Sequence, residues 1–249
     1  MRTAVFVPAY ESEHTIEAVV DRIPAETYRS LSDILIQDDG SRDRTLEACE
    51  RLARRYEKVR VVSNPRNLGY GGTLKKAMLD VRDGGFDCML MLHADLQYAP
   101  EAMDDMLQPI RSGAADVVLG SRMLSGPLAG GMPVYKWLGN RTLTWTMNVA
   151  LARRLTDYHT GYVALSGRAL SSFDFARLGD GHEISAQMLI ESVRKSLAIV
   201  EVPIATYYGP ETRSCSFATS VRYGLTVLGL LAADRWSSFA PRPVSMRSR

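Results

Sequence analysis

The segment MLMLHADLQYAP, residues 89–100, ends a run of apolar residues in side chains that could bind a metal ion. His93, Asp95 and Gln97 are each separated from the next by one residue. Asp95 and Gln97 could offer oxygen ligands to a divalent ion that neutralises a diphosphate leaving group. His93 would suit manganese better than magnesium as a further ligand. Alternatively, its neutral imidazole could donate to a ribose hydroxyl or simply cap the strand end.

Two other stretches carry groups that suit a nucleotide. Asp38 and Asp39 follow the apolar run DILIQ, where carboxylates can accept hydrogen bonds from a base N–H or ribose hydroxyls. The glycine-rich segment 64–78 leads into a helix with Lys75 and Lys76, whose N-terminal N–H groups could face a phosphate. Each pattern also has a purely structural explanation: a capped turn for the paired aspartates and a plain strand-to-helix connection for the glycine-rich segment. The segment is neither GxGxxG nor GxxxxGK[ST], and PAYES follows the first strand, so a dehydrogenase is disfavoured.

Short, nearly unbroken apolar runs predict the buried strands that must position these groups. They span residues 4–7, 33–37, 59–62, 88–92 and 116–120, and segments with apolar residues at helical spacing lie between them. This alternation predicts right-handed βαβ units in an α/β fold, with a single doubly wound, mostly parallel sheet flanked by helices. Ligands of such sheets bind beyond the carboxyl ends of the strands, so the polar strand ends should form one site.

Length and pattern predict a single domain over residues 1–236, in which the half at 1–122 carries the groups that suit a nucleotide and the half at 123–236 should form the acceptor side. The basic segment 237–249 has little to bury and is predicted to be a disordered tail. The apolar stretch 223–233 is too short to span a bilayer and is interpreted as either a core helix or an interfacial helix.

Charge and cysteine content limit the class of protein further. The chain has 30 basic and 28 acidic side chains, a balance that argues against nucleic-acid binding. Cys49, Cys88 and Cys215 are widely spaced, as expected of free thiols in a reducing compartment. The N-terminus has no signal-peptide pattern, and we therefore expect a cytoplasmic protein.

Several of these segments together resemble a known family. In order and spacing they match the family 2 glycosyltransferases, and most closely the polyprenyl-phosphate (dolichyl-phosphate-mannose synthase-like) branch, over about residues 1–210. The matching segments are VFVPAYES, IQDDGSRDRT, NLGYGG, HADLQYAPE and GSRM. The resemblance implies a GT-A fold, an NDP-sugar donor linked to UDP or GDP, a Mn²⁺ or Mg²⁺ ion, and inversion at the anomeric carbon.

The resemblance, combined with the patterns above, predicts the residues of each subsite. The donor site is predicted to include Pro8, Ala9, Tyr10, Glu11, Asp38, Asp39, Asn67, Gly69, Lys75, His93, Ala94 and Asp95. The metal is predicted on Asp95 and Gln97, with His93 as a further candidate. The acceptor site is predicted to include Arg122, Arg141, His159 and Arg213. The candidate catalytic residues are Asp95, Arg122, Asp157 and Glu183.

The sequence also departs from the family pattern. HAD stands in place of the usual DxD, a variant that resembles bacterial members with HxDxQY. In the segment TDYHTGYVALS, Val163 stands where the branch carries an arginine, so one phosphate-binding cation is missing. GHEISAQMLIES keeps Glu183, and YYGPETRSCSF keeps Arg213.

Two acceptors predict different chemistry. A polyprenyl phosphate is already anionic and needs cations rather than a base, and the segment 135–155 could rest on an anionic membrane surface. A hydroxyl of a soluble glycan or natural product would need a carboxylate base, such as Asp157 or Glu183, with His159 and His182 nearby in sequence. A third interpretation is an inactive nucleotide-sugar-binding subunit. A homodimer and a peripheral position at the inner membrane face stay open.

Overall fold

The computed structural model describes residues 1–209, 212 and 216–239. Its strands are β1 (Thr3–Ala9), β2 (Asp33–Asp38), β3 (Val59–Ser63), β4 (Cys88–Met91), β5 (Val117–Ser121), β6 (Val163–Ser166) and β7 (Ile199–Pro203). Within the described residues they form one seven-stranded sheet of order β3-β2-β1-β4-β6-β5-β7. The strand pairings are parallel except those of β6, which runs antiparallel to both β4 and β5. The prediction of a single, mostly parallel sheet is confirmed.

Helices connect the strands and cover the sheet. They are α1 (Ile16–Asp21), α2 (Ala25–Ser30), α3 (Thr45–Arg55), α4 (Gly69–Asp83), α5 (Met103–Arg111), α6 (Val134–Leu151), α7 (Gly167–Ser172), α8 (Ile184–Arg194) and α9 (Phe217–Phe239). Across the described part of the chain, every helix is too short or too polar to cross a bilayer. Because α9 reaches Phe239, the start of the tail predicted over 237–249 is helical, and residues 240–249 lie outside the described residues.

Apolar side chains on both faces of the sheet explain why its central strands are nearly unbroken apolar runs. In β1, Val5 and Val7 join one buried cluster, whereas Ala4 and Phe6 join the other. The first cluster includes residues of α1, α3 and α5, and the second includes residues of α4, α7 and α8. Val163 is only 6% exposed and belongs to the second cluster, so its side chain is part of the core.

Helix α9 packs against α6 with only part of its surface buried. Val227 and Leu231 are buried, whereas Leu225 and Leu228 are 66% and 42% exposed. One face of the segment 223–233 thus belongs to the core, and the opposite face is exposed. Cys49 and Cys88 are free and buried, and Cys215 lies outside the described residues.

Candidate active site

A cleft of about 1160 Å³ opens at the carboxyl edge of the sheet. Strand ends from the first half of the chain line one side, and residues of α6, α9 and the segment before β6 line the rest. Most of the predicted donor residues contribute to its wall: Pro8, Ala9, Tyr10, Glu11, Asp39, Asn67, Gly69, His93, Ala94 and Asp95. The parallel strands thus bring together residues that are far apart in sequence.

Two predicted donor residues do not line this cleft. Asp38 is buried and accepts hydrogen bonds from Ser41 N at 3.1 Å and Ser63 Oγ at 2.9 Å, so its carboxylate holds the turn after β2. The Lys75 ammonium donates to the Leu178 carbonyl at 3.0 Å and pairs with Asp180 at 2.5 Å. Of the paired carboxylates, only Asp39 is at the cleft, because alternate strand-end side chains point to opposite sides.

The glycine-rich turn before α4 does not offer the phosphate cradle that its sequence suggested. The Asp39 carboxylate accepts from Leu68 N at 2.8 Å and Gly69 N at 3.0 Å. The Asp180 carbonyl accepts from Gly71 N at 2.8 Å and from the next amide at 3.2 Å. A Cβ on Gly71 would lie 2.6 Å from the Asp180 carbonyl carbon, so glycine is needed here for a protein loop to approach. These N–H groups already have partners, and the prediction is corrected accordingly.

The loop after β4 is held by the segment that follows β7. Asp95 and Gln97 are each 8% exposed, and the Asp95 carboxylate accepts from Gln97 N at 3.1 Å. The Gln97 carbonyl accepts from Tyr207 N at 3.0 Å. Leu96 has a φ of 58°, a left-handed conformation that a leucine adopts only when its surroundings impose it.

The side chains at this loop suit a metal that takes most of its ligands from elsewhere. Among the described residues no three His, Cys, Asp or Glu side chains cluster as a complete metal site. Mg²⁺ and Mn²⁺ in nucleotide enzymes are commonly held by one or two carboxylates, with water and phosphate oxygens as the other ligands. Asp95 and Gln97, both in the cleft wall, fit that pattern.

His93 is packed among rings at the back of the same loop. Its ring lies 5.3 Å from that of Tyr98 and 5.9 Å from that of Tyr70, centroid to centroid. A Cβ on Gly161 would lie 2.6 Å from His93 Nε2, and Tyr98 Oη accepts a hydrogen bond from Gly161 N at 2.8 Å. Burial lowers the pKa of His93, so the imidazole is neutral at neutral pH. His93 therefore joins the donor loop to the segment before β6.

Arg122 and Asp157 form a buried ion pair beside the cleft. Arg122 Nε and Nη2 donate to the two Asp157 oxygens at 2.7 and 2.9 Å, and Asp157 is 0% exposed. Burial raises the pKa of Asp157, but the Arg122 charge outweighs burial and holds that pKa below its ordinary value. Asp157 does not line the cleft, and its oxygens have partners. The interpretation of Asp157 as a general base is corrected: it holds Arg122, which does line the cleft.

Two further predicted residues are not brought to the cleft, and a third lies outside the described residues. Glu183 precedes α8, and its carboxylate accepts from Gly181 N at 3.0 Å. Arg141 is exposed on α6, with its guanidinium 5.2 Å above the Trp137 ring. Arg213 lies outside the described residues. Within the described chain, neither Glu183 nor Arg141 lines the cleft.

His159 lines the cleft and is fixed through one ring nitrogen. Its Nδ1 is hydrogen-bonded to Tyr223 Oη at 3.0 Å, whereas Nε2 is buried and has no partner among the described residues. Burial lowers the pKa of His159 to about 4. Sequence reasoning missed Tyr223, which is 64 positions away and carries no local signal. It also missed Tyr98, although the segment HADLQYAPE contains it. An aromatic residue five positions after His93 could have indicated a ring packed against the imidazole.

The strand order of the sheet and the cleft at its carboxyl edge are those of the GT-A fold. Within that class, the chain belongs to glycosyl transferase family 2, whose family model matches residues 4–176. The predicted family and the prediction of an enzyme are confirmed.

Relatives named for lipid-phosphate acceptors align over most of the chain. UDP-N-acetylglucosamine–dolichyl-phosphate N-acetylglucosaminyltransferase from Methanococcus voltae is 28% identical over 216 residues, covering 82% of this chain and 85% of that protein. Undecaprenyl-phosphate mannosyltransferase from Micrococcus luteus is 26% identical over 205 residues, covering 82% and 83%. The fold is also similar to glucosyl-3-phosphoglycerate synthase from Mycobacterium tuberculosis in complex with Mn²⁺, UDP-glucose and phosphoglyceric acid, with a TM-score of 0.69 at 20% identity, covering 93% of this chain and 79% of that chain.

Proposed function

We propose that the protein is an inverting, metal-dependent glycosyltransferase that moves a sugar from an NDP-sugar to a polyprenyl phosphate. The observation that carries this proposal is a single cleft that Asp39, Asp95, Gln97 and Arg122 all line. Carboxylates for a nucleoside and a metal are thus combined with a guanidinium for an anionic acceptor. The names of the relatives support the same acceptor class.

For the donor, we propose that the nucleoside lies against the ends of β1 and β2, near Tyr10, Glu11 and Asp39. The diphosphate would then lie near Asp95 and Gln97, which would hold the divalent ion. When bound, that ion supplies positive charge to the leaving nucleoside diphosphate. We favour UDP over GDP, because the Methanococcus relative is named for a UDP-sugar and the mycobacterial neighbour was solved with UDP-glucose.

The state of the carboxylates favours a phosphate acceptor over a hydroxyl acceptor. A phosphate oxygen is anionic near neutral pH and attacks without losing a proton, whereas an alcohol needs a base. Asp157 is paired with Arg122, and Glu183, which accepts from Gly181 N, is not among the residues that line the cleft. A phosphate acceptor requires neither of them as a base.

We also propose that the acceptor end lies against an anionic membrane surface. Exposed apolar residues of α6 and α9 form what we call the apolar helical surface: Leu138, Trp145, Val149, Leu225 and Leu228, between 42% and 68% exposed. Arg141, Arg153 and Arg154 are also exposed on or next to α6. Apolar residues with basic neighbours are typical of helices that lie in a lipid interface. Such a position would bring the cleft to a lipid-borne phosphate from the cytoplasmic side.

A transfer to a soluble hydroxyl acceptor is the second candidate. The buried Val163 removes a cation that the polyprenyl-phosphate branch carries, and the mycobacterial neighbour was solved with phosphoglyceric acid. This candidate predicts a product that stays in water.

A transfer assay tests the proposal. The protein is incubated with Mn²⁺ and a radiolabelled UDP-sugar or GDP-sugar, and the acceptor is either polyprenyl phosphate in vesicles or one of a panel of soluble sugars. We expect product in the organic phase with a UDP-sugar and polyprenyl phosphate. Product in water alone would reject the lipid acceptor. Donor binding without transfer or donor hydrolysis would instead indicate an inactive partner subunit.

The metal is tested separately by donor titration calorimetry of Asp95→Ala. We expect the Mn²⁺-dependent part of donor affinity to disappear, a loss of about 10-fold or more, as for removal of a charged ligand. Asp80→Ala, an exposed carboxylate on α4, is the control and should bind as the wild type does. Equal donor affinity of wild type and Asp95→Ala, with and without Mn²⁺, would refute the metal assignment.

A further inference from the structure

Two ring nitrogens in the cleft wall are buried without a hydrogen-bond partner among the described residues. They are Nε2 of His93 and Nε2 of His159. Buried polar atoms in native proteins are almost always paired, so an unpaired one in a cleft wall points to a ligand group that completes it. His159 is the better defined of the two, because its other ring nitrogen has a partner.

The position of His159 is set by the ion pair beneath it. His159 N donates to the Asp157 carboxylate at 3.2 Å, and the His159 carbonyl accepts from Arg122 Nη2 at 2.9 Å. Both members of the pair therefore hold the backbone of this residue. The Tyr223 ring meets the imidazole edge-on, with centroids 5.4 Å apart and planes at 90°. Backbone and ring are both fixed, so Nε2 has a defined place in the wall.

The contact with Tyr223 decides which ring nitrogen carries the proton. A neutral imidazole has one N–H and one acceptor nitrogen, and the partner of one nitrogen fixes the role of the other. A phenol O–H is a stronger hydrogen-bond donor than a neutral imidazole N–H, which favours donation from Tyr223 Oη to Nδ1. The pKa of His159, about 4, keeps the ring neutral at the working pH of most enzymes. The proton of the ring is then on Nε2.

We propose that His159 binds the acceptor phosphate through its Nε2–H, and that Tyr223 is the positioning residue that fixes this tautomer. The proposal rests on the lipid-phosphate acceptor proposed above. It assigns to His159 the donor that Val163, buried in the core, does not supply. Arg122 has few N–H groups left for a phosphate, since it donates to Asp157, to the His159 carbonyl and, from Nη1 at 3.2 Å, to Tyr208 Oη.

Three variants distinguish the roles of the two ring nitrogens of His159. In His159→Gln the side-chain amide nitrogen reaches the position of Nε2, whereas in His159→Asn it reaches only that of Nδ1. Tyr223→Phe removes the hydroxyl that fixes the tautomer and leaves the ring. KM for polyprenyl phosphate and KM for the donor are measured for each variant, with Mn²⁺ present.

We expect His159→Asn to raise the acceptor KM by about 10- to 100-fold, as for loss of a hydrogen bond to a charged group, with donor KM unchanged. His159→Gln should retain most of the acceptor affinity, and Tyr223→Phe should fall between the two. An acceptor KM of His159→Asn equal to that of wild type would overturn the assignment while leaving the proposed function standing. No transfer to polyprenyl phosphate by wild type would refute both.

A spectroscopic measurement covers the case in which a variant does not fold. In wild-type protein labelled with ¹⁵N-histidine, the long-range ¹H–¹⁵N spectrum distinguishes the two neutral tautomers. We expect the Nε2–H pattern for His159 and a shift of Nε2 when a short-chain polyprenyl phosphate is added. An Nδ1–H pattern, or an unmoved Nε2 signal at saturating phosphate, would overturn the proposal.

Discussion

Replacement of Asp157 by asparagine removes the charge from the buried ion pair with almost no change in shape. The Asp157 carboxylate accepts from Arg122 N, Nε and Nη2, from Asn140 Nδ2 and from His159 N, at 2.7 to 3.2 Å. An asparagine cannot accept all of these bonds, and it leaves the Arg122 guanidinium buried without a counter-charge. Loss of one partner of a buried pair costs about 3–5 kcal/mol. For a chain of this size that is on the order of 10 °C in Tm.

The assay is urea and thermal unfolding. It compares the wild type with Asp157→Asn, Arg122→Met and the double variant Arg122→Met/Asp157→Leu. We expect each single variant to lose several kcal/mol, and the double variant to be closer to wild type than the sum of the singles, because no charge is left unpaired. Asp157→Asn with wild-type stability and no transferase activity would refute the structural role. It would restore Asp157 as a candidate general base.

Other predictions concern the cleft wall and the exposed helices. Gly161→Ala places a Cβ 2.6 Å from His93 Nε2, so we expect a loss of about 1–3 kcal/mol in unfolding free energy together with weaker donor binding. Gly229→Ala, whose Cβ meets nothing within 4 Å, is the matched control, and equal behaviour of the two would contradict the packing argument. His159 binds a proton in the unfolded chain near its ordinary pKa of 6.5 but in the folded protein only near 4, so stability should fall as pH drops from about 6.5 to 4. Unfolding of His159→Gln should have a shallower pH slope over that window, and an identical slope would count against the lowered pKa. Leu138→Glu should weaken flotation with anionic vesicles and leave unfolding within about 0.5 kcal/mol of wild type; undiminished flotation would exclude Leu138 from the membrane contact.

The sheet and the donor side of the cleft could be predicted because their signals are local. A strand buried on both faces must be apolar throughout, and polar residues at the carboxyl edge of the sheet come soon after it in sequence. Asp39 and Asp95 follow their strands in this way. The reversed strand β6 gave no such signal, since VALS is four residues long and lies within a polar segment.

The hydrogen-bond and ion-pair partners of Arg122 and Lys75 could not be predicted in the same way. Arg122 and Asp157 are 35 positions apart, and only the folded chain determines that each neutralises the other. Lys75 followed a glycine-rich turn as a phosphate-binding lysine would, yet Asp180, which is distant in sequence, is its partner. A motif gives the residue types near a site, whereas tertiary contacts decide which of them have free donors and acceptors.

The reversed direction of β6 makes residues 122–162 an insertion between two neighbouring points of the sheet. The chain leaves the sheet after Ser121 and re-enters at Val163, and antiparallel pairing puts both points at the same edge. Exposed parts of residues 122–162 can therefore change in length and content without a shift in the register of β3, β2, β1 and β4. Such changes are constrained at Gly161, which lies against His93, and at Arg122 and Asp157, which form the buried ion pair. The proposed acceptor residues of this segment could thus be replaced while the strands of the proposed donor site keep their pairing.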